Sequence, residues 1–283
     1  MTEQTQAVVL GAQSNISTQA NQLTIQLPSV WNAQDAQVAL ASLYIYFSWR
    51  NITAAFTNNS CSYRWVDGTT YPVAFPDGYY SPNDISGFIQ FVMQNNGHYL
   101  VDNTGTNQFY LSVQTNSVYY ADTITSTCVP TVLPAGWTNP HTVPLNGLQP
   151  QLIFSSTNKF WQILGFAAGA TYPPAQTGNT YSVNSVVVPE VSPITAVNVA
   201  CDIANTGPFN AQSGIIASFN TGAYQYGDQI VVQPTFPVYF KVNDGRVNTI
   251  SVSFYDDSGN PLGVLDPNIQ CTLLFQIPKN LRK

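Results

Sequence analysis

Cys61-Ser62-Tyr63-Arg64-Trp65-Val66-Asp67-Gly68-Thr69-Thr70-Tyr71-Pro72-Val73-Ala74-Phe75 reads as two alternating runs joined by Asp-Gly. A period of two places one set of side chains on one face of a strand. Asp67-Gly68 suits the positive φ of a two-residue type I′ turn, so the stretch predicts a β-hairpin with strands 61–66 and 69–75. The same period recurs outward from it. Leu23, Ile25 and Leu27 alternate with Thr24 and Gln26, residues 38–49 continue as an apolar strand pattern, and Pro28 is predicted to separate the two. Further strands are predicted near 109–113, 118–120, 152–154, 181–188, 194–203, 215–219, 229–232, 238–242, 250–255 and 269–277. Many short strands punctuated by Gly and Pro predict an all-β sandwich or barrel.

One segment breaks the period. Ser81-Pro82-Asn83-Asp84 supplies an N-cap serine, a proline at the first helical position and an acid three residues after the cap. Ile85, Phe88, Ile89 and Val92 follow at helical spacing, and Gly97 closes the segment as the glycine after the C-cap. A single helix of about 12 residues is expected, in line with usual lengths, with a second helical turn near 159–164. Between 123 and 150 the prolines at 130, 134, 140, 144 and 150 predict a long ordered loop without regular structure.

Charge is scarce. Of 283 residues 8 are Lys or Arg and 14 are Asp or Glu, against 44% apolar, where an ordinary domain is about one quarter charged. Asn, Gln, Ser, Thr and Tyr take the place of ions, and covering them costs far less than covering a charge. Such a surface suits burial against other subunits. Low charge with 16 Tyr and 15 Phe is the reverse of a disordered composition. A net charge of -6 argues against a nucleic-acid surface over the domain as a whole. Three of the eight basic residues, Lys279, Arg282 and Lys283, gather at the C-terminus, where a contact with nucleic acid or an acidic neighbour stays open.

The sequence points away from an enzyme and calls for no cofactor. His98 and His141 are the only histidines, and no G-x-S-x-G elbow or phosphate cradle occurs. His98 follows the helix-ending glycine, where a cation-tolerant position is reason enough for it; His141 sits beside Pro140 with a surface or packing role. Asp256-Asp257 before Ser258-Gly259-Asn260 reads as a tight turn with solvated acids. Asp102-Asn103-Thr104-Gly105 is only faintly like a calcium loop, since its glycine is misplaced and the closing acid is missing. Cys61, Cys128, Cys201 and Cys271 are spread singly, as buried hydrophobes rather than metal ligands. Asn15, Asn51 and Asn58 match the glycosylation pattern, but residues 1–6 lack the features of a secretory signal and no run approaches a membrane span, so they are expected to be ordinary polar residues of a soluble chain.

Several stretches share an order. Val73-Ala74-Phe75-Pro76-Asp77-Gly78-Tyr79-Tyr80-Ser81-Pro82-Asn83-Asp84-Ile85, then Phe91 through Gly97-His98-Tyr99-Leu100, precede Pro150-Gln151-Leu152-Ile153 with Ile163-Leu164-Gly165-Phe166. Ile194 through Cys201, Val247 through Asp256, Pro261-Leu262 and Asp266-Pro267-Asn268 follow. Together, from about 45 to 277, these resemble the minor capsid, or penton, proteins of mavirus-like virophages and Polinton (Maverick) elements. The resemblance implies a single jelly-roll sandwich of two antiparallel sheets in Greek-key order, with one short helix and long loops as elaborations. Composition and charge predict a flexible polar arm over 1–20 and a basic tail over 279–283, on either side of one domain over 21–278. The resemblance also implies a structural role without catalytic residues: homopentamers at the icosahedral five-fold vertices of a double-stranded DNA virus, located in the virion and assembled inside the infected cell. The partners are then other copies of the chain and the major capsid protein. Lys279, Arg282 and Lys283 become candidate contacts to the capsid or to packaged DNA. The rival class is a jelly-roll carbohydrate- or receptor-binding module for host attachment, in which loop aromatics such as Trp137 would form the platform.

Overall fold

Alternation becomes strands and the capped segment becomes a helix in the computed structural model, which describes residues 3–205 and 214–278. The chain begins with β1 (Glu3–Gly11), a 3-10 turn (Ala12–Ser14), β2 (Gln22–Asn32) and β3 (Gln37–Tyr46). Then come β4 (Ser60–Arg64), β5 (Thr70–Ala74), α1 (Pro82–Asn95), β6 (Leu100–Val101), β7 (Asn107–Gln108), β8 (Leu111–Asn116) and β9 (Ala121–Ser126). β10 (Gln151–Ile153), α2 (Phe160–Ile163), β11 (Thr171–Tyr172) and β12 (Tyr181–Asn184) follow. The last third holds β13 (Ala196–Cys201), β14 (Ala204–Asn205), β15 (Ile215–Asn220), β16 (Gln229–Val232), β17 (Phe240–Val242), β18 (Arg246–Asp256) and β19 (Gln270–Pro278). The chain is mostly β, with several antiparallel sheets that divide between two compact units: Met1–Trp49 with Ile194–Lys283, and Arg50–Pro193.

The first unit holds a six-stranded sheet, β1-β19-β3-β17-β14 with β16 also on β3, and a four-stranded sheet, β15-β13-β18-β2. Its alternation is reset where the ladder demands it. Val38 and Leu40 are buried on β3, and so are Leu43 and Ile45, although the two pairs differ in parity. The register against β19 shifts between Thr272 and Leu273, so one extra residue on β3 returns the apolar side chains to the same face. Pro28 does not separate two strands as predicted. β2 runs through it, because its pairing with β18 jumps from Gln26↔Thr249 to Trp31↔Val247 and leaves Pro28 in the irregularity, where a missing N–H costs no ladder bond. Beyond that irregularity Trp31 meets Phe275 of the other sheet edge to face, with ring centroids 5.4 Å apart. Residues 3–11 are not a flexible arm. They pair with β19 at every position from Glu3↔Pro278 to Gly11↔Gln270, because Val8 and Leu10 carry the strand period and Leu10 is buried.

In the second unit the helix and the proline-rich loop, expected as elaborations of one domain over 21–278, gather around a core of their own that includes Trp65, Phe75, Ile89, Phe154 and Phe160. The predicted hairpin forms as β4 and β5, with Tyr63 opposite Tyr71. Its turn is not type I′. Gly68 N–H donates to Trp65 O (3.0 Å), Trp65 N–H donates to Thr69 O (2.9 Å), and only Gly68 (φ 87°) lies in the left-handed region. The loop is therefore the three-residue kind, a type I turn closed by a glycine bulge, which leaves Val66 free to bury itself (3% exposed).

α1 has 14 residues, and its ends follow the sequence signals. Ser81 Oγ accepts from Asp84 N–H at 3.2 Å, and Asp84 Oδ2 accepts from Ser81 N–H at 2.9 Å, a reciprocal cap. At the other end Gly97 N–H reaches Gln94 O and His98 N–H reaches Met93 O, with Gly97 at φ 73°, the paired closure known as a Schellman motif. Ser86 Oγ accepts from Val113 N–H at 2.9 Å and ties the helix to β8. The predicted strand 118–120 is instead the tip of the β8–β9 hairpin, and β9 extends to Ser126, into the stretch expected to be irregular. The pattern misleads at the tip because Val118, Tyr119 and Tyr120 look like strand residues yet face solvent at 84%, 71% and 75% exposure.

Candidate assembly surfaces

The residues with chemistry to offer are mostly committed to holding loops. His98 is not a cation at a helix end. Its ring stacks on Trp65 (centroids 4.5 Å apart, planes 8° apart) and lies edge-on to Tyr71. Asn96 Nδ2 donates to the Tyr63 hydroxyl at 3.0 Å, which leaves the phenol proton for His98 Nδ1 at 2.9 Å. Burial drives the imidazole pKa down to about 4, so the ring is neutral near pH 7. His141 packs over Gly97, where an added Cβ would sit 2.8 Å from the His141 Cβ, and its Nε2 meets the Tyr99 hydroxyl at 2.9 Å. The residue is exposed, in keeping with the surface or packing role expected for it.

The carboxylates tell a similar story. Asp102 Oδ1 accepts from the N–H groups of Thr104 and Thr106 and from the Thr104 hydroxyl, while Oδ2 accepts from Gln108 Nε2. Those donors, the Thr104 hydroxyl first, hold its pKa down at about 2, and they occupy the lone pairs a calcium ion would need. Asp256 is buried, not solvated as predicted, because its carboxylate replaces missing turn bonds by accepting from Ser258 N–H (2.9 Å) and Asn260 N–H (2.7 Å). Asp257 accepts from the Thr195 hydroxyl at 2.7 Å. Asp122 on β9 is the exception. It is 1% exposed, its Oδ2 has no hydrogen-bond partner among the described residues, and burial raises its pKa to about 6. Cys61, Cys201 and Cys271 are buried, Cys128 is half-buried, and all four thiols are free. Among the described residues no cluster of His, Cys, Asp and Glu could hold a metal ion, and no helix is long and apolar enough to cross a membrane.

Several large apolar side chains stand on the surface. Besides the 118–120 tip, Val186, Val187 and Val188 of the second unit and Phe236 and Val238 of the first stand exposed, Phe236 at 81%. Two ion pairs occur among the described residues, Arg50–Asp77 at 3.9 Å and Lys241–Asp244 at 3.3 Å, and exposed pairs contribute about 1 kcal/mol at most. Trp137, the candidate sugar platform, is half-buried and packs against the core of its own unit. Lys279, Arg282 and Lys283 lie outside the described residues. The sequence reading missed the β1 edge and the exposed Phe236. Ala7-Val8-Val9-Leu10 carried a strand signal for the first, while a lone Phe between prolines carries no signal of exposure.

No family model matches the chain, and no curated protein matches it by sequence. Among solved structures it is similar to the mavirus penton protein, with a TM-score of 0.49 and 12% sequence identity over 97% of this chain and 99% of that one. It is also similar to a chain of the Sputnik virophage, with a TM-score of 0.42 and 13% identity over 99% of each chain.

Proposed function

We propose that the chain is a minor capsid (penton) protein of a double-stranded DNA virophage or Polinton-like virus, forming homopentamers at the five-fold vertices of its shell. The observation that carries the reading is the ordered series of penton-like blocks between about 45 and 277. The fold supports it: the two antiparallel sheets of the first unit have the layered make-up from which a jelly roll is built, and we assign the jelly roll to that unit. The surface supports it too. Five copies around a cyclic axis make head-to-tail contacts, and subunits of net charge -6 repel one another. Apolar burial and neutral hydrogen bonds therefore hold the ring.

Function in this reading is ring closure, with no bond made or broken and no cofactor. The partners are four further copies and the major capsid protein, and the place of action is the virion, assembled inside the infected cell. Lys279, Arg282 and Lys283 add positive charge at the chain end, where contact with the shell or the packaged DNA would be screened by salt. Co-expression with the major capsid protein tests the reading. Particles with density at every five-fold vertex are expected, and particles that close identically without the chain, leaving it free in solution, would refute it. Deleting 279–283 is expected to lower particle yield or genome content; unchanged values remove the role given to the tail.

A further inference from the structure

The six-stranded sheet of the first unit has unlike ends. At one end β1 pairs only with β19 among the described residues, and in the other sheet β2 pairs only with β18. Between these two edge strands opens a groove of about 230 Å³, walled by Val8, Leu27, Pro28, Trp31, Phe275 and Ile277. No charged side chain lines it. Small-molecule sites run from roughly 300 to 1,000 Å³, so this groove suits one large side chain better than a free ligand. β1 is also nine residues long, unbulged and without Lys or Pro, so it has few of the devices that normally blunt a sheet edge.

At the other end, beyond β3, the connection between β16 and β17 carries Phe236 between Pro234 and Pro237, with Val238 63% exposed. Nothing from residue 229 to 240 is charged. Burying a phenylalanine that stands in water is favourable, and its ring sits on a short, proline-flanked connection that loses little freedom on docking.

We propose that the groove between β1 and β2 of one copy receives Phe236 of the next copy. The inference rests on the ring reading above and names its interface. A hole at one end of a sheet and a knob at the other make a heterologous contact, which propagates head to tail and closes into a ring when the rotation allows. The two surfaces also match in charge: both are neutral in a chain that carries -6, so copies approach there at the least electrostatic cost.

The test is the native mass of the full chain and three variants, with circular dichroism confirming the fold of each. Phe236→Asp and Val8→Lys are each expected to raise the dissociation concentration of the ring at least tenfold, and the double variant is expected to recover part of it, because the new charges attract. A mixture of Gln6→Cys and Phe236→Cys proteins, both in a Cys128→Ser background, is expected to form interchain disulfides that neither protein forms alone. A wild-type ring that survives Phe236→Asp, with no disulfide in the mixture, overturns this interface and leaves the ring reading standing. A wild-type chain that stays monomeric overturns the ring reading, and this inference with it.

Discussion

The two units are joined in opposite ways. The first is stitched from the ends of the chain, with Glu3 paired to Pro278 and Gln22 to Ser253, while the second is the continuous run Arg50–Pro193, whose β4–β5 and β8–β9 pairs are local hairpins around a capped helix. Local contacts close with little loss of loop entropy and distant ones only after most of the chain is placed. The second unit closes on a core of its own, and the first ends in edge strands that pair on one side only among the described residues. Aromatic packing holds the second unit, and uncharged edges mark the first.

Removing a buried aromatic ring from the second unit puts that division to the test. Phe160 is fully buried and stacks on Phe75 with centroids 4.9 Å apart, so Phe160→Ala should cost about 3–5 kcal/mol. Hydrogen exchange should show protection lost across α1, β8 and β9 while the amides of β1 and β19 keep theirs; equal loss in both units would mean that they unfold as one.

Smaller changes probe the helix ends. Gly97→Ala forces a left-handed residue and drives its Cβ against His141, a cost of about 1–2 kcal/mol from the backbone alone. Ser81→Ala removes half of the reciprocal cap and should cost about 1 kcal/mol. Denaturant midpoints of the second unit read both, and an unchanged midpoint for Gly97→Ala would contradict the closure described at this end.

The smallest effect is a slope with pH. Burial lifts Asp122 from 3.8 to about 6, so between those values the folded chain holds a proton that the unfolded chain has released, and stability falls as pH rises. Burial lowers His98 from 6.5 to about 4, so across that window the unfolded chain binds the extra proton and stability rises with pH. The two slopes oppose one another inside one unit. Asp122→Asn should stabilise the fold at pH 7 by on the order of 1 kcal/mol and expose the rising His98 slope between about pH 4 and 6.5. A variant whose stability curve keeps the wild-type shape would contradict the burial argument.

The same contrast explains what could be read in advance. Ser81, Asp84 and Gly97 announced both ends of α1 because caps are local chemistry. The alternating strands 215–219, 229–232 and 269–277 were legible for the same reason, and each appears within a residue or two of its expected place. Asp67-Gly68 marks the place of the turn but not its type, since Val66 is drawn into the core and lengthens the loop. Val118, Tyr119 and Tyr120 look like strand residues, and only the hairpin pairing of β8 with β9 shows that they cap it. His98 and Asp256 were placed in sequence but not in environment, because burial by Trp65 and Tyr71 or by a turn's own amides is a non-local fact. The β1–β2 groove was invisible for the same reason: it exists only once residues 8, 31 and 275 meet.

Whether neutral surfaces close the proposed ring is read from the native mass of the purified chain through a salt series. A single species of five times the 30.9 kDa chain mass is expected, persisting at raised ionic strength, where ion-paired contacts would weaken. A 30.9 kDa monomer at high protein concentration, or a ring that dissociates merely on adding salt, would contradict closure by neutral surfaces.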